Sequence, residues 1–107
     1  MHSPVWRSML GTLKIDLLGN FTEEVSDDNA AKFGLLVLQI AKLCNKGVAW
    51  VNSRNEDTGL QIPRMFDLKS KLNELIAMFT TDETTKHFEE LRDSIDVYLD
   101  VLHAPTD

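Results

Sequence analysis

The sequence predicts an all-α fold: an antiparallel bundle of about four helices that forms a single domain over residues 1–107. Apolar residues recur at steps of three and four in four separate segments, which is the helical period. Only five glycines and three prolines interrupt the chain, and no alternating apolar run bounded by turn residues predicts a strand. A chain of this length supports one hydrophobic core.

The first predicted helix has clear start and stop signals. Ser3 is suited to the N-cap, Pro4 to the first helical position, and Gly19 to the position just after the end. Its apolar residues share one arc of a helical wheel: Val5, Trp6, Met9, Leu10, Leu13 and Leu17.

The second helix is predicted to begin at Ser26 and to end at Lys46, before Gly47. Its apolar residues surround almost the whole helix: Phe33, Leu35, Leu36, Val37, Leu38, Ile40, Leu43 and Cys44. We therefore expect this helix to be the most buried of the four. The narrow polar strip that remains, Lys32, Gln39, Lys42 and Lys46, would face carboxylates of a neighbouring helix.

The third and fourth helices are predicted from the same period. The third follows Pro63, with a core face of Met65, Leu68, Leu72, Leu75, Ile76 and Phe79. The fourth starts after Thr80 or Thr81 in a capping-box pattern and ends before Pro105. Its core face is Thr84, Phe88, Leu91, Ile95, Tyr98, Leu99 and Leu102.

The segment 47–63 is open to two interpretations, because structureless loops of that length are uncommon. In the first, the second helix restarts over residues 48–52, buries Trp50, and leaves a plain loop at 53–59. In the second, a loop presents Trp50 and Arg54 to a partner, since both residue types are enriched at binding hot spots.

The net charge of −6 is concentrated in the last quarter of the chain. Residues 82–107 contain eight carboxylates against two basic residues, whereas residues 1–81 are neutral. Four of these acids recur at steps of four, three and four, which places them along one line of a helix. We call this line the acidic ridge: Glu89, Asp93, Asp96 and Asp100.

The acidic ridge is either a solvated face that keeps the domain soluble or a docking surface. Like charges four residues apart each cost a helix about 0.2–0.5 kcal/mol, and aspartate is a weak helix former. A ridge selected only for solubility would more naturally alternate Glu with Lys. Beside the ridge, Val97 and Val101 point away from the predicted core, so acids flanking exposed valines would suit a basic protein partner.

No residue set indicates a reaction, so we expect no enzyme activity, no catalytic residues, no metal and no cofactor. Cys44 and His87 are the sole candidates for a thiol and imidazole pair, and Cys44 falls on an apolar face where an inert thiol is expected. The chain contains no Glu-x-x-His motif, Cys-x-x-Cys pair or glycine-rich phosphate loop.

Composition also limits the partners and the compartment. The negative charge disfavours direct nucleic-acid binding. The most apolar stretch, 33–51, contains Gln39, Lys42, Asn45 and Lys46, so no membrane-spanning helix is predicted. Residues 1–20 make a poor secretory signal, and the single cysteine needs no oxidising compartment, so we expect a cytoplasmic protein.

These observations favour a non-enzymatic binding protein that engages a basic partner through its last helix. The most specific form of this hypothesis is an inhibitor or immunity protein of the antitoxin type, which neutralises a nuclease toxin. The alternative is a self-associating structural, adaptor or chaperone-like subunit, a homo-oligomer whose apolar contact would involve Ile15, Val97 and Val101.

Overall fold

The computed structural model describes the backbone of residues 3–19, 24–53 and 58–103, and the side chains of residues 7–19, 24–48, 63–98 and 100. These ranges contain four α-helices: α1 (Ser3–Leu18), α2 (Ala30–Ser53), α3 (Thr58–Ile76) and α4 (Asp82–His103). One turn of 3-10 helix, Asp27–Asn29, precedes α2. The described extended structure is a single antiparallel bridge between Val25 and Phe79. The all-α prediction is confirmed.

The helices pack in a ring. α1 contacts α2, α2 contacts α3, and α3 contacts α4, while a smaller contact between α1 and α4 closes the ring. Consecutive helices are antiparallel, as in an up-and-down bundle; for α3 and α4 this follows from the pairing of Lys69 with Asp96 and of Asn73 with Arg92. The bundle is elongated, with extents of 48 × 23 × 19 Å. α2 and α4 therefore occupy diagonal positions, and their outer faces point in opposite directions.

The core combines one face of each helix, as the apolar periodicity predicts. Its buried side chains are Leu10, Leu13, Leu17, Val25, Phe33, Leu36, Ile40, Cys44, Met65, Leu68, Leu72, Leu75, Ile76, Met78, Phe88, Ile95 and Tyr98. Phe79 and Leu91 are half-buried against this cluster. The side chains of Val5, Trp6, Leu99 and Leu102, also predicted to be in the core, lie outside the described residues.

α2 is longer than predicted, because Gly47 does not end it. The helix continues to Ser53, and Gly47 is buried inside it, three residues after the core residue Cys44. A glycine ends a helix when it adopts a left-handed conformation, but inside a helix it only costs about 1 kcal/mol relative to alanine. Tertiary packing of a long helix outweighs that cost.

α3 also begins earlier than predicted, at Thr58 rather than after Pro63. The first four N–H groups of a helix have no intrahelical partner, so a proline close to the start removes few hydrogen bonds. Together, the two corrections replace most of the predicted loop with helix. Residues 48–52 are helical, as in the first interpretation, but they continue α2 and do not restart it. The remaining connection, residues 54–57, lies outside the described residues.

The start of α2 differs from the prediction as well. Ser26 is extended, with φ −63° and ψ 152°, and its side chain makes no capping hydrogen bond. Its carbonyl instead accepts from the N–H of Asn29 in the 3-10 turn, and α2 begins at Ala30. By contrast, α1 ends as predicted: the N–H of Gly19 donates to the carbonyls of Ile15 and Asp16.

Part of the apolar surface from which α2 was expected to be the most buried helix is exposed. Leu35 and Leu38 are 56% and 62% exposed. In a ring of four helices, each helix has two neighbours and the core, so one face must point outward. The apolar residues of α2 extend onto that outer face.

The segment before α2 is attached to the start of α4 by Glu24. The N–H and hydroxyl of Thr80 both donate to the Glu24 carbonyl at 2.9 Å, and the Thr84 hydroxyl donates to the Glu24 carboxylate. Nearby, the Phe79 ring packs edge-on against Phe33 at 5.6 Å and stacks on Phe88 at 5.1 Å. These contacts hold one end of the bundle together.

Candidate functional site

The acidic ridge lies on one continuous helix, as predicted. α4 runs from Asp82 to His103 and buries Phe88, Ile95 and Tyr98 against the core. The ridge points away from this buried stripe, and its acids differ in exposure. Asp93 and Asp100 are exposed, whereas Glu89 and Asp96 are half-buried. The four acids are therefore not equivalent.

Arg92 neutralises part of the acidic ridge. Its Nη2 lies 3.1 Å from Asp93 Oδ1 and 3.7 Å from Glu89 Oε2. Its Nη1 donates to Asn73 Oδ1 on α3 at 3.2 Å, which fixes the guanidinium at the boundary between α3 and α4. The repulsion expected between Glu89 and Asp93 is thus offset by a cation between them.

Lys69 neutralises a third ridge acid from the neighbouring helix. Its ammonium forms an ion pair with the Asp96 carboxylate. Asp96 therefore lies on the side of α4 that faces α3 and contributes to packing between the two helices. An ion pair this accessible contributes at most about 1 kcal/mol to stability, and it gives Asp96 a cation of its own chain.

The most available acidic surface surrounds Val97, which is 64% exposed. Glu90, Asp93 and Asp100 lie seven and four residues before it and three residues after it, so all three share its side of α4. All three are exposed. We call Val97 with these three acids the Val97 patch. Sequence analysis missed Glu90, although its spacing from Val97 could have identified it.

All the predicted partner-contact residues remain predictions, and three of them have no described side chain. The side chains of Trp50 and Val101, and the whole of Arg54, lie outside the described residues. The backbone of Trp50 belongs to α2. Both interpretations of residues 47–63 predict a loop before the third helix. The connection between α2 and α3 is shorter than either loop, because α2 ends at Ser53 and α3 begins at Thr58.

The apolar contact predicted for self-association is divided by the fold. Ile15 is exposed on α1, next to Asp16, whose Oδ2 lies 2.8 Å from Nε2 of His87 on α4. Val97 is ten residues further along α4 than His87, which is about 15 Å along the helix axis at 1.5 Å per residue. Ile15 and Val97 therefore do not form one patch.

Cys44 and His87 have separate environments. Cys44 is fully buried in the core on α2, and burial raises the pKa of its thiol to about 12, although the nearby Lys14 cation lowers it in part. His87 is exposed and bonded to Asp16. The thiol is therefore protonated at neutral pH, and a protonated thiol is a poor nucleophile.

Comparisons with family models, curated proteins and solved structures give no match. The function therefore has to be argued from the chemistry of the surface itself. Among the described residues, no three or more His, Cys, Asp or Glu side chains are grouped so that they could hold a metal ion. None of the helices in the described part of the chain is both long and apolar enough to cross a membrane.

Proposed function

We propose that this protein is a non-enzymatic binding protein whose Val97 patch docks on a basic surface of another protein. The observation that carries this proposal is an exposed apolar side chain surrounded by three exposed carboxylates on a rigid helix. An apolar centre with a charged rim is the usual arrangement of a protein interface. The acids would accelerate encounter with a cationic partner, and burial of Val97 would stabilise the complex.

The different surroundings of the α4 acids support the Val97 patch as the docking surface. Glu89 and Asp96 have cations of the same chain beside them, and these acids stabilise the α3–α4 boundary. Among the acids around Val97, Asp93 shares Arg92 with Glu89, whereas Glu90 and Asp100 form no ion pair with the described side chains. α4 as a whole carries seven carboxylates against two basic residues. The uncompensated negative charge is therefore concentrated on the outer face of α4.

The most specific form of the proposal is an inhibitor or immunity protein that neutralises a nuclease toxin. A nuclease binds phosphates through Lys and Arg side chains. Carboxylates spaced along a helix can occupy such cationic subsites and keep the substrate away. Charge complementarity to such cationic subsites supports a nuclease as the partner.

The test is affinity capture at low salt with the tagged full-length chain, followed by titration of the purified partner. We expect the partner to be basic and its affinity to fall as salt is raised. Changing Asp93→Lys together with Asp100→Lys should weaken binding at least about tenfold, because close charge pairs across interfaces contribute 1.5 kcal/mol or more. For a nuclease partner, the same change should restore its activity in the presence of the chain.

The matched control is Asp67→Lys with Glu74→Lys on α3, which makes the same change in net charge. Both acids are exposed and lie outside the Val97 patch. This control should retain most of the affinity. An equal loss in both double variants would mean that net charge, not the patch, governs binding. No loss in the α4 variant would overturn the proposal.

A further inference from the structure

The outer face of α2 is the second unusual surface of the molecule. Ala31, Leu35, Leu38 and Lys42 follow one another at steps of four, three and four, and all four are exposed. Ile40, on the opposite side of the helix, is fully buried. An apolar stripe on the side of a helix that faces away from the core indicates an interaction surface. We call these four residues the α2 stripe.

The apolar surface continues onto α1. The Lys14 ammonium donates to Asn45 Oδ1 at 2.7 Å. This bond places Lys14 of α1 beside Asn45 of α2 and so defines how the two helices align along their axes. Because the two helices are antiparallel, Leu18, one turn after Lys14, is level with residue 41, which is close to Leu38 on α2. Leu18 is 69% exposed. The surface is thus wider than one helix.

The two ends of the α2 stripe carry net charges of opposite sign, although Lys32 lies near the acidic end. Asp27 and Asp28 precede α2, whereas Lys42 and Lys46 lie in its second half. All four side chains are exposed. Among the described side chains, none of the four forms an ion pair, so the predicted pairing of the lysines with a neighbouring helix is absent there.

The α2 stripe, with its exposed leucines and oppositely charged ends, is complementary to a second copy of itself. We infer that a second copy of this chain docks on the α2 stripe, with the two α2 helices antiparallel about a two-fold axis midway between Leu35 and Leu38. In that register, Leu35 of each copy is level with Leu38 of the other. Two-fold dimers are the commonest oligomers, and their interfaces use the same surface twice.

The same register also pairs the charges. Lys46 of one copy is level with Asp27 of the other, and Lys42 lies within one turn of Asp28. Each ion pair occurs twice because of the symmetry. Near the centre, Gly34 is exposed and has no side chain to obstruct a second helix. Apolar contact at the centre with ion pairs at both ends fixes the antiparallel orientation.

The first experiment measures the oligomeric state of the full chain by sedimentation between about 1 and 100 µM, where mass action should reveal a reversible dimer. Leu38→Glu should raise the dimer dissociation constant at least about tenfold, because it places a charge in an apolar contact. Val97→Glu is the matched control, since Val97 is 64% exposed and Leu38 is 62% exposed. This control should dimerise like the wild type.

The second experiment tests the register by reversing charges. Lys42→Asp with Lys46→Asp should weaken the dimer, and so should Asp27→Lys with Asp28→Lys. The combined fourfold variant should recover the dimer, since it restores opposite charges across the axis and returns the net charge to that of the wild type. Circular dichroism confirms that each variant is folded.

Three results would overturn the inference. These are a chain that stays monomeric throughout the concentration range, a dimer that survives Leu38→Glu, and a fourfold variant that dimerises no better than the double variants. Apart from the control Val97→Glu, none of these variants alters the Val97 patch. Loss of self-association would therefore leave the proposed binding of a basic partner untouched, and the two ideas fail separately.

Discussion

Cys44 is buried in the fold, as its position on an apolar helix face predicts. It is the single cysteine of the chain, and it lies in the core where α2 packs against its neighbours. Burial raises the pKa of the thiol because a thiolate would lose its hydration. The residue therefore acts as a small apolar side chain at neutral pH.

A pH dependence of stability follows from this burial. In the unfolded chain the Cys44 thiol titrates near its ordinary pKa of 9.0, whereas in the folded protein its pKa is about 12. The folded state then binds more protons between these values, so the contribution of Cys44 to stability is complete below pH 9 and declines as pH rises above it. Urea unfolding from neutral pH to about pH 11 measures the decline.

Cys44→Ala is the control for the other groups that titrate in alkali. The variant is less stable at neutral pH because it leaves a cavity. We expect the difference in unfolding free energy between wild type and variant to shrink as pH rises. A difference that stays constant from neutral to alkaline pH would contradict the assignment.

Individual site residues were predictable only where their spacing lies within one helix. The acidic ridge needs only the period of α4, and the proximity of Arg92 to Glu89 follows from a spacing of three. The ion pair between Lys69 and Asp96 depends on how α3 packs against α4. No local pattern contains that information, so the sequence alone does not reveal the cation beside Asp96.

At the scale of elements, the helix faces were predictable and several helix ends were not. The apolar period found the core side of all four helices. Gly47 and Pro63 predict helix boundaries because each residue weakens a helix locally, yet both lie inside helices. Their local cost is small against the packing of whole helices, and packing is a property of the assembled bundle.

The hydrogen bond between Glu24 and Thr84 of α4 should stabilise the fold. Thr84 is buried and donates its hydroxyl to the half-buried Glu24 carboxylate. Thr84→Val keeps the shape but removes the donor, so we expect a loss of about 1–3 kcal/mol in the free energy of unfolding. Thermal or urea unfolding measures the loss.

Thr85→Val is the matched control for this change. The Thr85 hydroxyl donates to the carbonyl of Thr81, which also accepts the N–H of Thr85. That carbonyl keeps a partner in the variant, and we expect a change within about 0.5 kcal/mol. Equal effects of the two substitutions would show that the bond to Glu24 has no special role.

For the molecule as a whole, the ring of helices is closed unevenly. α2 and α3 each pack extensively on both sides, whereas α1 and α4 meet in the smallest of the four contacts. That contact includes the hydrogen bond between Asp16 and His87. Opening of the α1–α4 boundary should therefore require less free energy than separation of α2 from α3.

Amide hydrogen exchange tests whether the α1–α4 boundary opens more easily than the α2–α3 boundary. We expect the slowest exchange in the middle turns of α2 and α3, around Ile40 and Leu72, which are fully buried. Exchange in α1 and α4 should be faster. His87→Ala should accelerate exchange in α1 and α4 while leaving α2 and α3 unchanged. Uniform acceleration in all four helices would indicate that the bundle opens as one unit.

The diagonal placement of α2 and α4 has a consequence for stoichiometry. Two copies joined through their α2 helices would carry their Val97 patches on opposite sides of the dimer. The two patches would therefore be too far apart to contact the same small partner molecule. Such a dimer is bivalent in the bridging sense: it links two partner molecules. It gains avidity only toward partners that are themselves clustered or paired. Titration should then end at two partners per dimer.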